Sequence, residues 1–210
     1  MELYNDWQQS NIQHFWSELA SNDHLIQLYE NEHAFVTALE GFAGSGFLAG
    51  ESVIIIGTSE HLKTLNNRLL AHGFDINKLI ANDQFLSLDA EETLQNFMVD
   101  GHPDEKRFFK LVQGLVRRAK KNKRKVRAFG EMVAILWKEG NREGTAELEA
   151  LWNKFCAEEN FCLFCAYPKS GLTNTSMEHV CSMHTKIISG TAGPSTQIFY
   201  KDIPKTAAAR

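Results

Sequence analysis

The chain has 210 residues, and its 22 Lys and Arg against 26 Asp and Glu give a formal net charge of −4. This length is enough for one large domain with a full hydrophobic core, and 43% hydrophobic with 23% charged residues exclude a disordered or fibrous chain. The longest aliphatic run, residues 53–56, is far shorter than the ~20 residues that cross a bilayer, and the first nine residues lack the basic start and apolar centre of a signal peptide.

Short aliphatic runs alternate with amphipathic stretches along the chain, as is typical of βαβ units around a parallel sheet. The predicted strands cover residues 24–29, 52–57, 84–88, 125–129 and 161–167. The predicted helices begin near residue 31 and then cover residues 60–72, 90–98, 104–122, 131–139, 142–158 and 176–184. The glycines at 41, 44, 46 and 50 are expected to hold turns that end the first helix.

The organisation predicted from this pattern is a single α/β domain over residues 24–188. Residues 1–23 are expected to form a helical N-terminal extension, and the Gly/Pro/Thr/Ala-rich residues 189–210 a poorly ordered tail. Neither flank is long enough for an output domain, so the sequence predicts a domain that stands alone.

Polar side chains follow several of the predicted strands, and in open α/β sheets ligands bind beyond the carboxyl ends of the strands. The candidates for one such crevice are His24, Tyr29, Thr58, His61, Asp89, Glu131, Tyr167 and His184. Two of them have a structural alternative. Asp89 is expected to cap the helix that follows it, and Glu131 equally suits the positive start of its own helix.

The segment Gly57-Thr-Ser-Glu-His-Leu-Lys63-Thr64 lies between a buried strand and a helix, where a phosphate-binding P-loop reads G-x-x-x-x-G-K-[ST]. Leu62 replaces the second glycine, which lets the backbone curl around phosphate oxygens. Glu60 would also repel phosphate. Gly57, Lys63 and Thr64 are therefore predicted to be the remains of a degenerate P-loop.

All four cysteines lie between residues 156 and 181, too few and too clustered for a disulfide scaffold, so a reducing, cytoplasmic location is predicted. Cys162 and Cys165 fall within one predicted strand, where residues three apart point to opposite faces. Buried thiols are therefore favoured over a zinc site, and no metal is predicted. The candidates for a metal would be Cys165, Cys181 and His184.

Residues 117–127 carry eight basic side chains and no acidic one, so the rest of the chain carries −4 − 8 = −12. The run coincides with the end of an amphipathic helix, where cations stabilise the helix dipole. A solvated helix end is the favoured interpretation, an acidic partner protein the second and nucleic acid the third, because no aromatic residue is interleaved for base stacking.

Beyond these local patterns, the chain resembles the MEDS domain, the methanogen/methylotroph sensory domain of the dichloromethane-response regulator. The segments that carry the resemblance are His24-Leu-Ile-Gln-Leu-Tyr29, Leu48-Ala-Gly-Glu51, Thr58-Ser-Glu-His61, Leu88-Asp-Ala90, Phe97-Met-Val-Asp-Gly101, Arg127-Ala-Phe-Gly-Glu-Met-Val133, Leu148-Glu-Ala-Leu-Trp152, Cys165-Ala-Tyr-Pro168, and Cys181 with His184. They keep this order over most of the chain.

The resemblance implies a RecA-like fold related to the KaiC ATPases, a three-layer sandwich with a central, mostly parallel sheet and a degraded Walker motif. It also implies a ligand-sensing module, proposed in that family to recognise small hydrocarbon derivatives. Such modules are commonly fused to histidine kinases, other sensor domains or DNA-binding domains.

Three functional hypotheses follow. The first is a non-catalytic sensory domain without a cofactor, which binds a small ligand and signals to a separate partner such as a histidine kinase or transcription regulator; self-association is also expected, because RecA-like relatives often assemble. The second is a KaiC-like ATPase that holds ATP and magnesium with Lys63 and Thr64 and activates water with Glu131. The third is a scaffold that docks partners through residues 117–127.

Overall fold

The computed structural model of the chain describes residues 15–16, 18–20, 22–159, 161–170, 172–189 and 199–202. The strands are β1 (His24–Tyr29), β2 (Ser52–Gly57), β3 (Phe85–Asp89), β4 (Met98–Val99), β5 (His102–Pro103), β6 (Val126–Gly130), β7 (Cys162–Pro168), β8 (Lys186–Ser189) and β9 (Phe199–Asp202). The helices are α1 (Glu32–Leu48), α2 (Ser59–Ala71), α3 (Ile76–Ala81), α4 (Ala90–Gln95), α5 (Glu105–Ala119), α6 (Met132–Lys138), α7 (Arg142–Glu159) and α8 (Asn174–Ser182), with a 3₁₀ turn at Lys121–Lys123.

The central sheet has the strand order β3-β2-β6-β7-β1-β8-β9. The first six strands are parallel, and β9 pairs antiparallel with β8 at the edge. Strand β2 is buried along its whole length, as expected of a strand covered on both faces. The predicted α/β fold with a central, mostly parallel sheet is confirmed.

Helices cover both faces of this sheet and give the predicted three layers. In β1, Leu25 packs into the core beneath α1 and α2, whereas Ile26 packs into the core beneath α4 to α8. The same alternation separates Cys162 from Cys165 in β7, so these two thiols do lie on opposite faces. All four cysteines are free.

The predicted turns at Gly41, Gly44 and Gly46 are wrong, because α1 runs through all three positions to Leu48. Only Gly50 has the left-handed backbone expected of a turn glycine, with φ of +71°. A methyl group on Gly46 would lie 2.8 Å from Cδ of Arg127. The small residue therefore serves a close approach in the core and not a turn.

The side chain that fills this space, Arg127, is 2% exposed. Its guanidinium pairs with Glu51 at 2.5 Å and donates hydrogen bonds to the Phe42 carbonyl at 3.0 Å and the Ser45 hydroxyl at 2.9 Å. A buried arginine needs such partners for each of its donors. Arg127 thus joins α1 to the sheet.

The basic run 117–127 is largely used within the domain. Arg118 and Lys121 both pair with Asp83, and Lys120 pairs with Glu159 at 2.8 Å. Arg124 donates to the Ser52 hydroxyl at 2.7 Å and to a backbone carbonyl. These contacts explain the charge of the run as a helix end tied to neighbouring loops.

Most of the two predicted flanks lies outside the described residues, including nearly all of the expected N-terminal helix. Within the expected tail, residues 199–202 form β9, a strand that the sequence pattern does not predict. Its partner β8, the short helix α3 and the β4–β5 hairpin are also absent from the predictions.

Candidate functional site

Side chains from three strand ends meet beside the start of α2, and we call Tyr29, Glu32, Thr58, His61 and Glu131 the strand-end cluster. Tyr29 is the last residue of β1, and Thr58 and Glu131 follow β2 and β6 directly. Glu32 opens α1 and His61 lies in the first turn of α2. Four of the eight predicted ligand residues are therefore brought together at the carboxyl edge of the sheet.

His61 is held by two carboxylates. Its Nδ1 lies 2.7 Å from Glu131 Oε1 and 2.9 Å from the Thr58 hydroxyl, and its Nε2 lies 2.8 Å from Glu32 Oε2. Carboxylates accept hydrogen bonds, so both ring nitrogens are placed to donate and the ring suits the protonated form. Burial by itself would lower the pKa of His61, but the bonds and charges of Glu131 and Glu32 outweigh it and raise the pKa.

Glu131 connects the two strand ends. Its Oε2 accepts a hydrogen bond from the Thr58 backbone N–H at 2.9 Å, while Oε1 faces His61. It makes no capping hydrogen bond to its own helix α6. Glu131 still stands at the N-terminus of α6, where its charge suits the helix dipole, so the two interpretations are compatible.

An aromatic wall borders the cluster. The rings of Tyr29 and Phe35 stack with centroids 4.9 Å apart, and the edge-to-face contact of Phe35 with His61 measures 4.8 Å. Burial, followed by the charges of Glu32 and Glu131, raises the pKa of Tyr29, so its phenol stays neutral. Phe35 is 1% exposed and supports the half-buried Tyr29 ring, which lies next to charged hydrogen-bonding groups.

Asp89 is the expected helix cap. Its carboxylate accepts hydrogen bonds from the backbone N–H groups of Glu91 at 2.9 Å and Glu92 at 3.0 Å. It also accepts one from the Ser59 hydroxyl at 2.7 Å, which ties β3 to the start of α2. Asp89 therefore adjoins the strand-end cluster through Ser59 and does not contact His61 or Glu131 in the described structure.

The predicted remains of a P-loop are folded as helix. A single residue, Thr58, connects Gly57 at the end of β2 to the start of α2 at Ser59. Thr64 lies in the second turn of this helix and donates its hydroxyl hydrogen to the Glu60 carbonyl at 3.0 Å. The backbone N–H that opens the segment, that of Thr58, is bonded to Glu131.

The other predicted residues, His24, Tyr167 and His184, meet in a second place. They lie with Glu149 and Cys165 beneath α7 and α8, on the face of the sheet opposite to Tyr29, and all five side chains are buried. We call His24, Glu149, Cys165 and His184 the buried cluster. The one crevice expected from the sequence is thus two separate sites.

Burial dominates the electrostatics of the buried cluster. It lowers the pKa of His24 to about 3, with help from His184, and that of His184 to about 4. It also raises the pKa values of Glu149, Cys165 and Tyr167. The uncharged form of every one of these groups is favoured.

Sequence reasoning missed Glu32, Glu149 and Asn153, whose side-chain oxygen lies 2.9 Å from Nδ1 of His24. Glu149 continues the buried spacing of Thr145, Trp152 and Cys156 along α7, so a charged residue on an apolar stripe was the available signal. Glu32 had no such signal, because an acidic residue after the N-cap Asn31 is common at any helix start.

Comparisons with known proteins agree with this architecture. Residues 23–185 match the sequence profile of the MEDS family, described as the MEthanogen/methylotroph, DcmR Sensory domain. A similar solved structure is that of the KaiC-like protein PH0186 from the hyperthermophilic archaeon Pyrococcus horikoshii OT3, with a TM-score of 0.57 and 11% identity over 88% of this chain and 81% of that one. The search of curated proteins finds no match.

The structural similarity supports the RecA-like fold expected from the sequence, and at 11% identity it carries no more than the fold. Among the described residues, no helix is both long and apolar enough to cross a membrane.

Proposed function

Because this chain belongs to the MEDS family of sensory domains, we propose that it binds a small organic molecule at the strand-end cluster and reports its occupancy to a separate signalling protein. The ligand class is a short alcohol or amine, a hydrocarbon derivative with one hydrogen-bonding group. The partner class is a histidine kinase or a transcription regulator.

The observation that carries this proposal is the bridge of His61 between two unlike carboxylates. Glu131 is 9% exposed and anchored by Thr58, whereas the Glu32 side chain is 66% exposed. The contact between Glu32 and His61 is therefore the replaceable one. A ligand hydroxyl or amine group can replace this contact by accepting a hydrogen bond from His61 or donating one to Glu32, while the carbon atoms of the ligand pack on the half-buried Tyr29 ring.

Signalling follows from where the replaced contact lies. Glu32 is the first residue of α1 and His61 lies in the first turn of α2, so their hydrogen bond joins two helices on the same face of the sheet. A ligand that separates the two side chains changes the restraint between these helices. The free energy available to a partner is the difference in ligand affinity between the joined and separated arrangements.

Nuclear magnetic resonance of the His61 ring tests the proposal. Methanol and methylamine are added separately to the labelled protein, and we expect at least one to shift the His61 signals in a saturable way. The accompanying shifts of the Thr58 and Glu131 backbone amide signals should be lost in His61→Gln. His102→Gln is the matched control, because His102 also contacts a carboxylate, that of Glu147 at 2.9 Å, but lies outside the cluster. Shifts that map elsewhere and survive His61→Gln would contradict the proposal.

The KaiC-like ATPase remains the alternative, since the KaiC-like structural neighbour has a similar fold and residues 57–64 of this chain span the junction between a strand and a helix. Thermal unfolding with ATP and magnesium discriminates between the two. Stabilisation that disappears in Lys63→Ala would support nucleotide binding. We expect no shift, because α2 begins one residue after β2 and leaves no loop to surround a phosphate.

A further inference from the structure

The buried cluster contains four different ligating side chains that converge on one point. His24, Glu149, Cys165 and His184 each offer one nitrogen, oxygen or sulfur atom, and these atoms all lie within 4.8 Å of one another. We propose that the cluster is a binding site for a divalent transition metal of the zinc class, coordinated by two imidazoles, one thiolate and one carboxylate.

The spacing suits a tetrahedral ion. With ligand bonds of about 2.0–2.3 Å, tetrahedral coordination puts neighbouring ligand atoms about 3.3–3.8 Å apart. Nε2 of His24 lies 3.5 Å from Cys165 Sγ and 3.7 Å from Glu149 Oε2, which is within this range. All four ligand atoms lie within 4.8 Å of one another, so an ion fits once the longer separations contract.

Groups behind the ligands orient both imidazoles. Nδ1 of His24 donates to the Asn153 side-chain oxygen at 2.9 Å, and Nδ1 of His184 donates to the Val180 carbonyl at 2.6 Å. Each neutral ring then has its lone pair on Nε2, the atom that faces the cluster. Such bonds to the outer ring nitrogen are the usual support of metal-bound histidines.

Two ligand atoms lack any other partner. Among the described residues, Glu149 Oε2 and His184 Nε2 are buried without a hydrogen bond, although the two residues are 0% and 4% exposed. Buried polar atoms are almost always satisfied, and each exception requires an explanation. A metal ion satisfies both atoms at once. The remaining carboxylate oxygen, Oε1, accepts a hydrogen bond from the Tyr167 hydroxyl at 2.5 Å.

The ligands come from four separate elements. His24 begins β1, Cys165 lies in β7, Glu149 lies in α7 and His184 follows α8. Because His24 is far in sequence from the other three ligands, an ion bound to all four stabilises the folded chain relative to the unfolded one. Full burial of the ligands and a complete set of four are typical of structural zinc sites, where no position is left for substrate.

The first experiment measures metal content. The protein is purified without chelators, dialysed extensively and analysed by plasma mass spectrometry, and we expect about one zinc-class ion per chain. Cys165→Ala should lose most of this metal. Cys162→Ala is the matched control, because it removes a buried thiol from the same strand on the opposite face and should keep the metal.

A second measurement uses the wild-type protein, so its result does not depend on whether a variant folds. The metal-stripped wild-type protein is reconstituted with Co²⁺, and we expect a thiolate-to-cobalt absorption band together with a rise in Tm of roughly 10 °C at saturating metal. The band should be absent in Cys165→Ala and present in Cys162→Ala. A wild-type protein that binds neither Zn²⁺ nor Co²⁺ and gains no Tm would overturn the proposal in favour of a metal-free network in which Glu149 is protonated.

Discussion

The two clusters combine histidine with glutamate and treat them in opposite ways. At the strand-end cluster, hydrogen bonds and charges raise the pKa of His61, and the ion pairs reach solvent. In the buried cluster, desolvation lowers the pKa values of His24 and His184 and raises that of Glu149. The contacts thus favour a protonated imidazole at the accessible strand-end cluster, whereas burial favours the uncharged forms of the groups in the buried cluster.

The largest expected effect on stability comes from truncating Glu149 in the buried cluster. Glu149→Ala removes the acceptor of the Tyr167 hydrogen bond and leaves a cavity beside two buried imidazoles, so we expect a loss of about 3 kcal/mol in the free energy of unfolding. Urea denaturation followed by circular dichroism measures it. Glu147→Ala is the control on the same helix, because the Glu147 side chain is 42% exposed and its loss should leave stability unchanged. Equal losses of stability in the two variants would contradict the greater structural importance of the buried carboxylate.

The next largest effect is expected from removing the Tyr167 hydroxyl, which donates to Glu149 of the buried cluster. Tyr167→Phe deletes the donor to Glu149 and leaves the ring in place, so we expect a loss of about 1–2 kcal/mol in the free energy of unfolding. Tyr29→Phe makes the same change in the strand-end cluster. It should alter stability by no more than about 0.5 kcal/mol, because the Tyr29 hydroxyl is not among the hydrogen-bond donors of the cluster. The same urea titration compares them.

The strand-end cluster should make a smaller, pH-dependent contribution to the free energy of unfolding. The pKa of His61 in the folded protein lies above its ordinary value of 6.5, so the folded state holds this proton more tightly than the unfolded state does. The contribution is then complete below pH 6.5 and is lost as the pH rises through the raised pKa. Below pH 6.5, His61→Gln should cost about 1 kcal/mol, and the cost should shrink at alkaline pH. A cost that grows with pH would show that the sign is wrong.

The smallest effect on stability is expected at the exposed carboxylate. Glu32→Gln keeps the shape of the side chain and removes its charge, and because Glu32 is 66% exposed we expect the Tm to change little. The His61 pKa should nevertheless fall, since one of its two carboxylate partners is neutralised. Titration of the His61 ring signals by nuclear magnetic resonance measures this fall. An unchanged pKa would mean that Glu32 does not contact His61 in solution.

The sequence predicts much of the architecture, because the longer strands and helices follow from the local spacing of apolar residues. The buried strand β2 and the apolar stripe of α5 are of this kind. Local spacing gives the wrong prediction at the glycines of α1, where turns were expected and the helix continues. A glycine resembles a turn unless one knows that Arg127, 81 positions after Gly46, must pack against it.

The sites could be predicted only in part. Strand ends identified Thr58, His61 and Glu131 as neighbours, because the ends of adjacent parallel strands share an edge. The same reasoning placed His24 and Tyr167 beside them, since spacing along a chain does not reveal which face of the sheet a side chain occupies. The pairing of β1 with β7, and the burial of Glu149 beneath them, are contacts across more than a hundred residues or between different layers.

Strand β1 contributes His24 to one site and Tyr29 to the other, with six residues from end to end. Side chains alternate between the two faces, so an odd insertion or deletion between these positions turns one of them onto the wrong side of the sheet. Such a change removes either His24 from the buried cluster or Tyr29 from the strand-end cluster, depending on the new register of the strand. In related proteins, we therefore expect length differences in the connections between elements and a constant length of β1.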